Sequence, residues 1–323
     1  MGLPAQAERV RPPALRPGDV VGIVAPAGPI QPDTLEAGCA SLERRGYRPF
    51  YLPSILDRDW YCAGSPERRL RELHEMFARS EVKGIVCVRG GYGSNYLLPY
   101  LDLDLIRANP KVFCGCSDVT SLLTYLCDAG GLVTFHGPML DKDAKPDGVD
   151  EESWFAAVAS GEPHLQEFSA DEVQPLRQGR AEGMMYGGCL SLLCASLGTP
   201  YEIETRGRIL FLEDIAEPAY RIDRMLMQLK LAGKFEGVQG VIFGEMLDCG
   251  PRGKSDYTLQ EVVQRVLQDL GMPIAYGLTS GHVTRRNITI PFGVAARLDV
   301  GGNVALQFAS AVRSESATAP LSK

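Results

Sequence analysis

The chain of 323 residues has only four histidines and two tryptophans, and its net charge is −7. It has no C-x-x-C pair, no apolar run of bilayer length and no excess of positive charge. Each absence removes a class of function. Without a basic footprint, nucleic acid is not an expected partner. Without a run of ~20 apolar residues, no segment is expected to span a membrane as a helix. The nine cysteines are odd in number and lie mostly in apolar stretches such as Ile85-Val86-Cys87-Val88, which favours buried thiols over a disulfide framework. Cys114 and Cys116 flank a single residue, which is not zinc-ligand spacing, so no structural metal is expected. The start, Met1 to Arg16, has prolines but no apolar core, unlike a secretory signal. The expected location is therefore cytoplasmic. With 45% apolar and 23% charged residues, the rest is the composition of a soluble globular protein of one large or two ordinary domains.

Strand-like and helix-like stretches alternate through the first half. Val20 to Ala25, Arg48 to Leu52, Gly84 to Val88, Val112 to Cys116 and Val133 to Phe135 read as strands. Asp33 to Arg45 and Pro66 to Ser80 read as helices, and Asn95 to Leu101 as the start of another. That alternation predicts an α/β domain over residues 1–140, with a mostly parallel sheet whose working groups gather at the carboxyl ends of its strands. Residues 141–180 are polar and read as a connector with one helix, around Glu151 to Ser160. A second region, 181–323, contains strands at Ile209 to Glu213 and Val238 to Phe243 and helices at Arg221 to Ala232 and Leu259 to Leu270. Short strands follow at Ile288 to Ile290, Ala295 to Val300 and Asn303 to Phe308. The tail from Arg313 onward reads as frayed.

The chemistry concentrates in a few places. Gly115-Cys116-Ser117-Asp118-Val119-Thr120 follows an apolar strand and opens a helical pattern, as in a nucleophile elbow. Val119 stands where the second glycine of that motif belongs, so Ser117 reads either as a nucleophile or as a helix cap. A serine nucleophile needs a base. His74 and His164 read as solvated. His282, in the small-residue loop Thr279 to Thr284, and His136, at a strand end, are the two candidates. Glu213 and Asp214 close an apolar strand and could orient an imidazole, as could Glu217 nearby. Arg89-Gly90-Gly91-Tyr92-Gly93 matches no phosphate-loop spacing. It reads as a tight turn, or as a loop whose amides approach substrate with Arg89 as a carboxylate ligand.

Assembled in order, these blocks resemble the LD-carboxypeptidases, serine peptidases related to the microcin C self-immunity peptidases. The resemblance runs from Leu15 to Ala311. It includes Ala25-Pro26-Ala27-Gly28, the glycine loop, the Ser117 elbow, Thr134-Phe135-His136-Gly137-Pro138-Met139, Gly187-Gly188-Cys189, Leu212-Glu213-Asp214, Gly281-His282 and Pro291-Phe292-Gly293. It implies a parallel-sheet α/β N-terminal domain carrying the nucleophile and a smaller, β-rich C-terminal α/β domain carrying the other two triad members. It implies the triad Ser117, Glu213 and His282, with oxyanion donors from Gly91 (or Gly90) and Asp118. Arg89, Gly90 and Gly188 are the implied substrate contacts. The implied activity is release of the terminal D-Ala from murein tetrapeptides during wall recycling, with a small peptide as partner and a homodimer as an open alternative. Two other readings stay open: a relative that cleaves a peptidyl-nucleotide or another acyl amide, and a non-catalytic binder of small ligands.

Overall fold

The computed structural model describes residues 9–141, 143, 145, 147–251 and 256–314. The start of the chain and the tail expected to fray lie largely outside these residues. In chain order the elements are β1 (Val20–Val24), α1 (Pro32–Arg44), β2 (Arg48–Phe50), α2 (Pro66–Ala78), β3 (Val82–Cys87), α3 (Leu103–Ala108), β4 (Val112–Gly115), α4 (Thr120–Asp128), β5 (Thr134–His136), α5 (Glu151–Val158), β6 (His164–Phe168), β7 (Gln174–Arg177), β8 (Gly179–Cys189) and α6 (Leu190–Ala195). They continue with β9 (Arg208–Glu213), α7 (Ala219–Leu231), β10 (Gly240–Gly244), α8 (Leu259–Leu267), β11 (Ile274–Leu278), β12 (Ile290–Phe292), β13 (Ala295–Val300) and β14 (Val304–Phe308).

Two sheets result. The first has six strands in the order β12-β5-β4-β3-β1-β2, and the second has eight in the order β6-β14-β13-β8-β9-β10-β11-β7. Strands β2, β1, β3, β4 and β5 run parallel, and so do β8 to β11. Parallel strands covered by helices are buried on both faces. Accordingly β1, β3, β4, β9 and β10 are nearly continuous apolar runs. Local signals set the helix starts. Ser65 accepts from the Arg68 N–H ahead of Pro66, and Thr258 and Glu261 form a reciprocal capping box on α8, each satisfying an otherwise orphaned donor.

The folded chain departs from the sequence reading in several places, among them the strands β8 and β11 and the helices α3 and α6, which that reading does not name. The stretch 94–100 forms two single 3-10 turns rather than a helix, because Pro99 has no N–H to continue a helical ladder. The stretch 141–180 contains α5, as expected, but also β6 and β7, which pair with β14 and β11 at the two edges of the second sheet. Edge strands keep one face wet, so β6 alternates half-buried with exposed residues and reads as polar chain. Strand β12 begins at Ile290 and leaves its sequence neighbours to pair antiparallel with β5 in the first sheet.

That exchange welds the halves. One apolar cluster runs from Val21, Ile85 and Phe113 in the first sheet through Phe292 to Phe211, Leu298 and Phe308 in the second. A polar clasp reinforces it at the C-terminal end of α4. There Asp128 lies 2.5 Å from the Arg208 guanidinium and accepts from the Tyr186 hydroxyl at 2.5 Å, while Arg208 stacks 3.9 Å above the Tyr186 ring. The Arg208 side chain is 2% exposed, so it depends on that partner. Removing one member of a buried ion pair strands the other. Asp128→Ala is therefore expected to lower unfolding free energy by about 3 kcal/mol, read by urea denaturation.

His164 supplies a pH-linked term. Burial under Phe308, with ring centroids 4.9 Å apart, pushes its pKa down to about 4. Neither ring nitrogen has a hydrogen-bond partner among the described residues. The unfolded state takes up this proton first, so stability is complete above the ordinary histidine range and falls from about pH 6.5 towards pH 4. His164→Phe is expected to flatten that decline by about 2 kcal/mol, after allowance for partial exposure. Urea midpoints compared at pH 7 and pH 4.5 measure it.

Candidate active site

The carboxyl ends of the parallel strands of both sheets converge. From the first sheet come the turn after β1, the glycine loop after β3, and Ser117 after β4. From the second come Gly188 at the end of β8, Glu213 at the end of β9 and His282 in the loop after β11.

Ser117 opens the 3-10 turn Ser117–Val119 with φ +60°, a left-handed backbone that L-residues adopt at a cost of about 1–3 kcal/mol. Its hydroxyl makes no hydrogen bond among the described residues, and Cys116 holds the N-cap position. The helix-cap reading therefore has no hydrogen bond to support it. A strained, unengaged hydroxyl at a strand-to-helix turn is the geometry of a nucleophile elbow. Thr120, one turn on, accepts from the Cys189 N–H at 3.1 Å and ties the elbow to the end of β8. The Cα of Gly188 rests on the same threonine, since an added Cβ would lie 2.6 Å from Thr120 Cγ2. That packing and a backbone φ of +128° both call for glycine there.

Glu213 is 1% exposed and His282 is 5% exposed. Carboxylate Oε2 sits 2.7 Å from His282 Nδ1 and accepts the His282 backbone N–H at 3.2 Å. Burial by itself would raise the carboxyl pKa. The imidazoles of His282 and His136 outweigh burial and hold Glu213 below the usual carboxylate range. A carboxylate on Nδ1 fixes the imidazole tautomer that leaves Nε2 as a proton acceptor. Among the described residues no hydrogen bond joins His282 to Ser117. Catalytic contacts of this kind commonly tighten only around substrate. Asp214 faces elsewhere: it accepts from the Ser191 N–H at 2.8 Å and the Ile215 N–H at 2.9 Å.

Several further side chains hold the machinery in place. The His282 loop is pinned by Asn287, which accepts from the Gly281 N–H at 3.0 Å and donates to Asp143 at 3.1 Å. Glu245 accepts from the Thr284 N–H at 3.0 Å and also binds the Thr284 hydroxyl. On the other wall, Asp118 is buried, which raises its carboxyl pKa. It accepts from the Ser94 N–H at 2.8 Å, and its carbonyl accepts the Ser94 hydroxyl at 2.6 Å, clamping the glycine loop to the elbow. Arg69 completes the clamp, donating to the carbonyls of Pro26 at 2.6 Å, Gly93 at 2.7 Å and Gly64 at 3.2 Å. Arg69 lies in a charged helix with no motif around it, so sequence offers no signal for this role; the same holds for Glu245, Ser94 and Asn287.

Gly90 passes beside the nucleophile. A Cβ there would stand 2.6 Å from Ser117 Cβ, 2.7 Å from Ser117 Oγ and 3.3 Å from the Asp118 nitrogen. The open side of Gly90 thus faces both the Ser117 hydroxyl and the Asp118 nitrogen. Gly91 has φ +106°, and its N–H donates to no carbonyl among the described residues. Arg89 stays half exposed on the rim, with Nε 3.6 Å from Asp141 and a donor 3.3 Å from the Pro29 carbonyl. The thiols of Cys116 and Cys189 are raised by burial, which keeps them protonated and unreactive. A cavity of about 920 Å³ lies beside the His282 loop, bounded by α5, β6 and Thr284 to Arg286, and contains none of Ser117, Glu213 and His282.

Residues 21–137 match the model of the LD-carboxypeptidase N-terminal domain, and residues 182–298 match that of the C-terminal domain. The chain therefore belongs to the LD-carboxypeptidase family of serine carboxypeptidases. It is 39% identical over 303 residues to the probable murein peptide carboxypeptidase of Bacillus subtilis, covering 92% of this chain and 93% of that one. It is 32% identical over 287 residues to the murein tetrapeptide carboxypeptidase of Pseudomonas aeruginosa, covering 86% and 92%. The solved structure of MccF in complex with glutamyl sulfamoyl guanosine matches with a TM-score of 0.85 and 26% identity, over 94% of this chain and 99% of that one. Both sheets and the two-domain α/β arrangement are thereby those of the family. Among the described residues no helix is long and apolar enough to cross a membrane.

Gly90→Ala is expected to lower kcat/KM by about 10²-fold or more with the fold retained, because the new methyl intrudes on Ser117 Oγ and the Asp118 N–H. Steady-state kinetics beside circular dichroism test this.

Proposed function

We infer that the protein is a cytoplasmic LD-carboxypeptidase that removes the terminal D-Ala from murein tetrapeptides during wall recycling. What supports this reading is the buried Glu213–His282 pair together with the strained Ser117 elbow, in a chain similar to a murein tetrapeptide carboxypeptidase.

In the proposed mechanism His282 Nε2 takes the proton of Ser117 Oγ as that oxygen attacks the scissile carbonyl. The Asp118 and Gly91 N–H groups hold the developing oxyanion. His282 then gives its proton to the departing D-amino acid nitrogen, and water hydrolyses the acyl-enzyme by the same relay. Glu213 stays ionised throughout and stabilises the imidazolium. Arg89 on the rim is suited to the substrate's terminal carboxylate. No step calls for a metal or an organic cofactor.

A second reading has its own support. The likeness to MccF bound to glutamyl sulfamoyl guanosine suits a substrate whose leaving portion is a nucleotide-like amide. The same relay serves both substrates. Family membership among carboxypeptidases sets aside the reading as a non-catalytic binder.

Mass spectrometry of a muropeptide mixture incubated with the protein is expected to show tetrapeptides converted to tripeptides with free D-Ala. Conversion of an aminoacyl-nucleotide analogue alone would favour the second reading. Ser117→Ala is expected to lose at least about 10³-fold in rate with its melting temperature unchanged. A variant that keeps a tenth of the activity removes Ser117 from the mechanism.

A further inference from the structure

His136 lies on the opposite side of the Glu213 carboxylate from His282 and is fully buried. Its Nε2 is 3.7 Å from Glu213 Oε1. Among the described residues each of these two atoms lacks a hydrogen-bond partner. They face one another in a buried interior walled by Phe211 and Phe292, whose ring centroids lie 5.0 and 5.6 Å from that of His136.

The other ring nitrogen decides the protonation. His136 Nδ1 is 3.0 Å from Ser280 Oγ, and Ser280 Oγ is 2.8 Å from the Ile288 carbonyl. A carbonyl only accepts, so the single hydroxyl proton of Ser280 goes to Ile288 and Ser280 Oγ is left to accept. His136 Nδ1 must therefore donate. In a neutral imidazole that assignment would leave a lone pair on Nε2 aimed at a carboxylate oxygen. Two acceptors facing each other at 3.7 Å, too close for a water to fit between them, is a costly arrangement. A second proton on Nε2 removes the conflict and turns it into an ion pair.

We propose that His136 is an imidazolium that neutralises the buried Glu213 carboxylate, and that through Glu213 it acts as a positioning residue setting how strongly His282 holds a proton. This rests on the reading of Glu213 and His282 as catalytic. Glu213 then has a cation on each side once His282 takes the serine proton. A carboxylate already paired with one cation stabilises a second less strongly, so His136 weakens the base and helps it return its proton to the leaving amine. It also fixes the second oxygen of Glu213, leaving Oε2 aimed at Nδ1.

The other titratable groups around the pair come from several elements. Asp214 lies beside Glu213, Cys116 follows β4, Cys189 ends β8, and Cys249 follows β10. Asp143 lies beyond them on Asn287. The thiols are raised by burial and stay uncharged, and Asp214 is satisfied by backbone N–H groups. None supplies a second cation to Glu213.

Two measurements test the proposal. In ¹⁵N-histidine NMR of the wild-type protein at neutral pH, both ring nitrogens of His136 are expected to carry protons. A single protonated nitrogen overturns the assignment, whether or not the protein cleaves any peptide. In the second, His136→Gln keeps an N–H donor and removes the charge. The acidic limb of kcat/KM against pH for the tetrapeptide is expected to move to higher pH, on the order of one unit. An unmoved limb in a folded variant overturns the positioning role, even if the enzyme reading stands.

Discussion

Everything at the centre of this molecule depends on keeping the ionised carboxylate of Glu213 out of water. Glu213 is almost wholly buried at the end of an apolar strand, a position that strongly disfavours charge unless donors surround it. The structure meets that demand from both halves of the chain. His282 and its backbone N–H come from the loop after β11, and His136 comes from β5 of the first sheet. The carboxylate is thereby a junction between the sheets as well as a member of the candidate triad.

The surrounding architecture follows from the same constraint. If the sheets moved apart, the carboxylate would lose His136 and the elbow would drift from His282. The fold resists this with apolar packing continuous across the two sheets, with β12 donated by the second half to the first sheet, and with the Asp128–Arg208–Tyr186 clasp at the far end of α4. Helix α4 runs from the strained Ser117 turn to that clasp, so one element links the elbow to an anchor into the second sheet. The strain at Ser117 is sustained because Thr120, Asp118 and Ser94 brace the turn from both sides.

The two walls of the site are built differently. The glycine loop and elbow wall is held by backbone carbonyls gathered on Arg69 and by the buried Asp118–Ser94 contact. The His282 wall is held by side chains of its own loop, through Asn287, and by Glu245 on Thr284. Family membership fixes the class of chemistry. The leaving group accepted by the cleft is a finer matter, on which the murein-peptide relatives and the MccF likeness point to different substrates.

Local order was legible in the residues. Alternating apolar runs and amphipathic stretches marked the strands of the first sheet and helices α1, α2, α7 and α8, because burial on both faces of a parallel sheet leaves an unbroken apolar signature. Ser117, His282, His136, Glu213 and Asp214 stood out because strand ends and small-residue loops are where chemistry gathers, and the family resemblance chose Ser117, Glu213 and His282 among them. The edge strands β6 and β7 were not legible, since half-exposed strands read as polar chain, nor was the transfer of β12, since pairing partners leave no local mark. His136 remained an open alternative as a base. Sequence could mark it as a histidine at a strand end, but its contact with the second oxygen of Glu213 exists only because strands about eighty residues apart in sequence meet across the two sheets. Propensity and burial are properties of neighbours along the chain, and the sequence by itself determined most of the elements and the candidate reactive side chains. Which charges face each other in the buried interior depends on through-space distance, and only the tertiary structure decided that.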